Sequence, residues 1–310
     1  MSAKPTYTDS PKGLAFALTT YLFWGVLPLY FKAMAHIPPA EVIAHRVLWS
    51  LPIAAGVLIV TGRSADFRAA LTRPRLLAMA ALTATLITVN WMIYVWSVGN
   101  DRAMEAALGY YINPLFSICL AALLLGERLG RLQWVAVGLA ALAVVILTLE
   151  TGSLPLVAVG LFFSWGFYAF FKRSLPLGPN QGFLLEVAIL SIPALAYLFW
   201  LHAQGGGHFG RNWRDTLLLI GCGPVTAVPL IFYANAAKLL KLSTIGILQY
   251  ITPTMVFLIA VLVFGEPFDG AKRIAFPLIW AALVIYSYTL IKAARSRRRA
   301  VHNETSLRPE

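Results

Sequence analysis

Residues 111–127 read YINPLFSICLAALLLGE, and residues 250–266 read YITPTMVFLIAVLVFGE. The two runs align without a gap at an offset of 139, and seven of the 17 positions are identical. Each opens on Tyr-Ile-x-Pro, continues apolar, and closes on Gly-Glu. Working outward, the same offset places Tyr94 on Tyr233. An offset of 141 places Ser50 on Ser191, Pro52 on Pro193, and Trp24-Gly25 on Trp165-Gly166. The chain therefore reads as one unit written twice.

Each copy is embedded in apolar stretches too long and too continuous for alternating strands, so they read as helices. A spanning helix needs about 20 mostly apolar residues. Ten stretches qualify, near 12–34, 40–61, 76–98, 103–125, 131–149, 154–173, 182–202, 214–237, 242–264 and 272–292. Composition agrees. Of 310 residues, 59% are hydrophobic and 12% charged, against roughly 25% charged in a soluble domain. The expectation is an all-α integral membrane protein of ten transmembrane helices, arranged as two five-helix repeats. A tail over 1–11 precedes the first repeat (12–149); the second (150–292) precedes a basic tail over 293–310.

The net charge of +12 does not form a nucleic-acid groove; it is scattered through short loops and the run Arg295, Arg297, Arg298, Arg299. With the N-terminus in the cytoplasm, inside segments carry 18 Lys and Arg and outside ends carry six, while Arg46 lies within a span. That bias predicts both termini inside. Five spans per repeat is odd, so the second copy must enter the membrane from the opposite side. Inverted repeats let one structure open to either face by exchanging the conformations of its halves, which is how secondary transporters work.

A resemblance then becomes visible. Tyr21-Leu22-Phe23-Trp24-Gly25, His45-Arg46-Val47-Leu48-Trp49-Ser50, Leu108-Gly109-Tyr110-Tyr111-Ile112-Asn113-Pro114-Leu115, Leu125-Gly126-Glu127-Arg128 and Leu248-Gln249-Tyr250-Ile251 resemble the RarD family. That family is an EamA-like branch of the drug/metabolite transporter superfamily, commonly labelled a chloramphenicol-sensitivity permease. The resemblance runs from about Lys12 to Ile291 and implies a permease of the bacterial inner membrane.

Ionisable residues inside spans are costly and point to function. Arg46 lies about six residues into its span, roughly 9 Å below the outer edge at 1.5 Å per residue. It reads as a cation that holds an anionic group such as a carboxylate, or as an interhelical structural pair or a hydrogen-bond donor to backbone carbonyls. Glu186 and His45 occupy equivalent places and can titrate, so they are the candidates for proton coupling. Pro114 and Pro253 sit midway along their spans and each frees the carbonyl four residues earlier, on Tyr110 and Gln249; they read as paired hinges. Asn113, Gln249, Tyr111 and Tyr250 stand beside them and join the substrate-binding candidates. So do Asn90, and Trp24 with Trp165 as facing walls. Glu127 and Glu266 end matching helices, as turn supports paired with nearby Arg or Lys. Gly138, Ala140, Ala141 and Ala143 allow close packing, within the bundle or between protomers of a homodimer.

The expected function is a secondary-active or facilitative transporter that moves a small organic metabolite or drug by alternating access, export included. No phosphate-binding loop is present for ATP. A membrane-embedded enzyme or a channel is the alternative. The five histidines show no metal-binding spacing and no Gly-x-Ser-x-Gly occurs, so neither catalytic residues nor metal or cofactor sites are expected.

Overall fold

The computed structural model describes residues 10–306 apart from 63 and 127, and among these every regular element is a helix. The helices are α1 (Pro11–Lys32), α2 (Pro39–Val60), α3 (Ser64–Leu71), α4 (Pro74–Gly99), α5 (Ala103–Leu125) and α6 (Arg131–Thr151). They continue as α7 (Leu156–Arg173), α8 (Pro179–Ala203), α9 (Trp213–Leu239), α10 (Leu242–Leu248), α11 (Ile251–Leu262) and α12 (Lys272–Ser306). Several starts follow from local chemistry. Ser10 caps α1, its Oγ accepting the N–H of Gly13 at 3.0 Å. Pro11, Pro39, Pro74 and Pro179 occupy first-turn positions, where a missing N–H costs nothing. Gly126 ends α5 in the left-handed region, φ 66°, which a residue with a Cβ resists.

Among the described residues nine apolar segments are long enough to cross a membrane, with α10 and α11 counted as one. The tenth expected span, α7, falls short of them. It has 18 residues and ends on Lys172 and Arg173, which dilute its apolar run. Two further features differ from expectation. The connection after α2 contains the short helix α3, and α12 runs on without a break into the basic tail as far as Ser306.

The bundle is held by a small set of helix pairs. α6 lies along α12, α5 along α7 and α11, and α1 along α9 and α11. α4 packs on α7, and α2 packs on both α8 and α9; α4 also meets α8, over a shorter stretch. Ala140 and Ala143 are buried on α6, whereas Gly138 and Ala141 face outward.

Polar links lace together the end of the bundle where α1 finishes. Lys32 Nζ lies 2.6 Å from Asp101 Oδ1, and His36 Nε2 lies 3.0 Å from Asp215 Oδ1. Glu41, fully buried, accepts the backbone N–H of His208 at 2.6 Å and meets its Nδ1 at 2.8 Å. Glu266 accepts the N–H groups of Ala103 at 2.6 Å and Met104 at 2.9 Å, so it caps α5 from across the chain. Burial pushes its carboxyl up from the usual carboxylate range, and the two N–H groups pull it back down. This corrects the expected pairing of Glu266 with Lys272 or Arg273. Those two side chains are turned to the carbonyls of Pro267 and Phe268, at 2.9 and 3.0 Å. Glu127 lies outside the described residues.

Candidate functional site

The most unusual charge in the bundle is Arg46. Its helix, α2, is buried all round from Glu41 to Val47, and Arg46 itself is 6% exposed. Nε donates to Thr226 Oγ1 on α9 at 2.7 Å, and that hydroxyl donates in turn to the carbonyl of Cys222 at 2.8 Å. The guanidinium carbon lies 4.1 Å from the ring centre of Trp91 and 5.5 Å from that of Phe31, both cation–π contacts. Nη1 is buried without an acceptor, and no carboxylate lies within ion-pair distance among the described residues. Tyr94, Tyr110 and Cys222 are within electrostatic reach.

The wall of this site continues through α4 and α5. The Tyr94 and Tyr110 rings are 5.6 Å apart, and Tyr110 donates to Asn90 Oδ1 at 3.3 Å. The amide of Asn90 donates to the Leu161 carbonyl at 3.0 Å and to Ser164 Oγ at 2.9 Å, both on α7. Asn90 therefore ties α4 to α7 and presents no free donor. The site draws on α1, α2, α4, α5 and α9, helices from both sequence copies.

The other expected residues fall elsewhere. Trp24 packs with Tyr21 and Tyr233, at 5.9 and 5.8 Å between rings, whereas Trp165 packs with Tyr168 at 5.7 Å. No ring contact joins the two tryptophans directly among the described residues, and the partners Tyr233 and Tyr168 are within electrostatic reach of each other. Tyr111 is fully buried, sharing a hydrogen bond with Thr254 at 2.8 Å. Gln249 donates to the carbonyl of Gly246 at 3.0 Å. Asn113 Oδ1 and the Tyr250 hydroxyl are buried without partners.

Glu186 and His45 are not in contact. Glu186 Oε1 lies 2.7 Å from Lys172 Nζ, and its other oxygen accepts the Tyr168 hydroxyl at 3.4 Å. His45 stacks on Phe209, ring centres 4.8 Å apart, and its Nδ1 accepts from Trp49 Nε1 at 3.3 Å. Nor do the two prolines match in this structure. Pro114 lies inside the unbroken α5. Pro253 is the third residue of α11, just past the break at Gln249 and Tyr250, where its missing N–H would have had no helical partner.

Sequence reasoning missed Thr226 and the role of Trp91, because Arg46 and Thr226 stand 180 residues apart with no local pattern joining them. Lys172 was legible only as a loop-end charge, yet its ammonium is pulled inward to Glu186. A cleft of about 500 Å³ opens on the flank between α2, α4 and α7, lined by Pro39, Met92, Trp96 and Val157 among others. It does not include Arg46, and Arg102 on its rim is held by Glu105 at 2.6 Å, so its chemistry is that of a lipid-facing recess. Among the described residues no three His, Cys, Asp or Glu gather as metal ligands.

The pattern of the EamA-like transporter family matches residues 11–149. One solved crystal structure superposes with a TM-score of 0.59 at 20% identity, covering 92% of this chain and 99% of its own, which establishes the shared fold. The pattern covers the first half of the molecule, and full-length relatives extend the likeness to EamA-like membrane transporters over nearly the whole chain. A RarD protein of Streptomyces exfoliatus is 42% identical over 92% of this chain and 91% of its own. RarD of Escherichia coli is 38% identical over 95% and 99%, and a Vibrio cholerae protein described as an uncharacterized transporter is 40% identical over 97% and 100%. The chain belongs to the RarD family of EamA-like transporters. It is thus a multi-pass transporter of a bacterial inner membrane, in a family of transporters rather than enzymes.

Proposed function

We propose that the chain is a secondary carrier for a small organic solute, working by alternating access between two inverted five-helix halves, 12–149 and 150–292. The observation that carries this reading is the pattern of helix pairs. Exchange α1, α2, α4, α5 and α6 for α7, α8, α9, α10–α11 and α12. The pair α5–α7 then becomes α11–α1, and α1–α9 becomes α7–α4; α2–α8, α5–α11 and α6–α12 map onto themselves. The exchanged pairs are not all equal, and the largest difference is that α2 and α9 pack extensively whereas α4 and α8 meet less. In an inverted-repeat carrier, swapping such unequal contacts is the change that moves access from one face to the other. The Arg46 site lies against the tighter of the two. Pro114 and the α10–α11 break are the places where a helix can bend during that swap.

The reading puts both termini in the cytoplasm and the laced end of the bundle in the periplasm, in accord with the 18-to-six charge bias. In a variant without Cys119 and Cys222, Gln204→Cys is expected to react with an impermeant thiol reagent in intact spheroplasts, and Ser174→Cys only after lysis. The opposite pattern reverses the orientation. The carrier itself is tested by counterflow in proteoliposomes against a panel of amino acids, nucleobases, vitamins and amphenicols. Saturable counterflow of at least one solute is expected. A conductance that does not saturate, with no counterflow, would make the protein a channel.

A further inference from the structure

Most cations beside this bundle's buried surface have a carboxylate. Lys32 has Asp101 at 2.6 Å, Arg102 has Glu105 at 2.6 Å, and Lys172 has Glu186 at 2.7 Å. Arg46 has none among the described residues, although its side chain is among the most deeply enclosed of these cations. An ion removed from water without a counter-charge is strongly penalised, and rings beneath it recover only part of the loss. The sequence alone left Arg46 open to a structural pair; among the described residues it has the Thr226 hydroxyl and no carboxylate.

We infer that the Arg46 site takes an organic monoanion, bound through a planar carboxylate; the inference rests on the carrier reading above. The stoichiometry follows from the charge: one guanidinium balances one negative charge, and a dianion would leave the second one buried and unpaired. The acceptor's shape follows from the geometry. Nε is committed to Thr226, and the rings of Trp91 and Phe31 attend the guanidinium face. What is left is the edge formed by the two Nη groups, of which Nη1 is buried without an acceptor. Two carboxylate oxygens match that edge, whereas a lone hydroxyl or a neutral carbonyl meets only part of it and leaves the charge standing. The body of the ligand follows from the wall. Phe31, Trp91, Tyr94 and Tyr110 surround the cation with aromatic surface, which suits an aromatic or unsaturated acid. Thr226 is a positioning residue, because it fixes the direction of the free edge.

Equilibrium binding of radiolabelled benzoate to the purified full-length protein in nanodiscs tests this, with benzamide, phthalate and chloride as competitors. Benzoate is expected to bind saturably. Benzamide, the neutral analogue, is expected to compete at least about 30-fold more weakly, and phthalate likewise, since a charge-assisted hydrogen bond lost against a buried ion is worth that much. Arg46→Gln should abolish binding and Arg46→Lys should leave a weak remnant. Thr226→Val, which keeps the charge, should weaken binding by about 3- to 10-fold and so covers the case in which Arg46→Gln fails to fold. Thermal unfolding of each variant reports the fold. The inference is overturned if benzamide binds as well as benzoate, or if Arg46→Gln binds normally. It is also overturned if neither benzoate nor a wider set of aromatic and aliphatic monocarboxylates binds, or if chloride alone occupies the site. Failure of counterflow for every solute, with carboxylate binding intact, strikes the carrier reading and leaves this one standing.

Discussion

Replacement of Lys172 by Met is expected to lower the stability of the folded protein by roughly 3–5 kcal/mol, the usual effect of removing one partner from a buried ion pair. Glu186 is 2% exposed, and the Lys172 ammonium, 2.7 Å away, supplies its counter-charge. With the ammonium gone, the Tyr168 hydroxyl at 3.4 Å is the hydrogen bond that remains to the carboxylate. The double variant Lys172→Met, Glu186→Leu removes both charges and should regain most of the loss, because two apolar side chains need no solvation. Thermal unfolding of the four proteins of the cycle measures it. If the single variant is no worse than the double, water reaches Glu186 and the pair is not a buried one.

The second large effect is expected at Gly223. A Cβ there would fall well inside contact distance of the backbone carbonyl of Trp49, so the relief cannot come from a side chain turning away. α9 would have to withdraw from α2. Overpacking typically costs about 1–3 kcal/mol, and a clash with backbone belongs at the top of that range. Gly223→Ala should also weaken the site, since Thr226 and Arg46 sit three residues along from Gly223 and Trp49 on the same two helices. Gly138→Ala on α6 serves as the control, because a Cβ there meets nothing. Equal melting temperatures for the two variants would mean that α2 and α9 are not seated as closely as described.

The helical membrane architecture was legible because its signal is local. Long apolar runs cannot be strands of a half-buried sheet, and Gly126 is where a helix needs a left-handed residue. Arg46 was legible as an anomaly for the same reason, a charge inside an apolar run. Its surroundings were not. Thr226, 180 residues away, and the clamps of Glu41 on His208 and Glu266 on Ala103, 167 and 163 residues apart, join distant segments of the chain. No periodicity within a helix encodes which distant helix it will meet. The prolines show the limit from the other side. Both sit in the same Tyr-Ile-x-Pro motif, yet α5 runs through Pro114 while the chain breaks before Pro253. Local sequence marks where a helix can break, and packing against neighbours decides whether it does.

The lacing at the end of the bundle where α1 finishes has a kinetic meaning on the carrier reading. Lys32 with Asp101, His36 with Asp215, Glu41 with His208, and Glu266 with the start of α5 join different helices and loops around one rim. On the carrier reading a solute cannot leave on that side until these contacts part together, with water taking up each exposed group. On that reading every turnover must climb a concerted barrier at this face. On the same reading, working speed becomes a property of the rim and its loops, separate from the affinity proposed to reside deep in the bundle at Arg46.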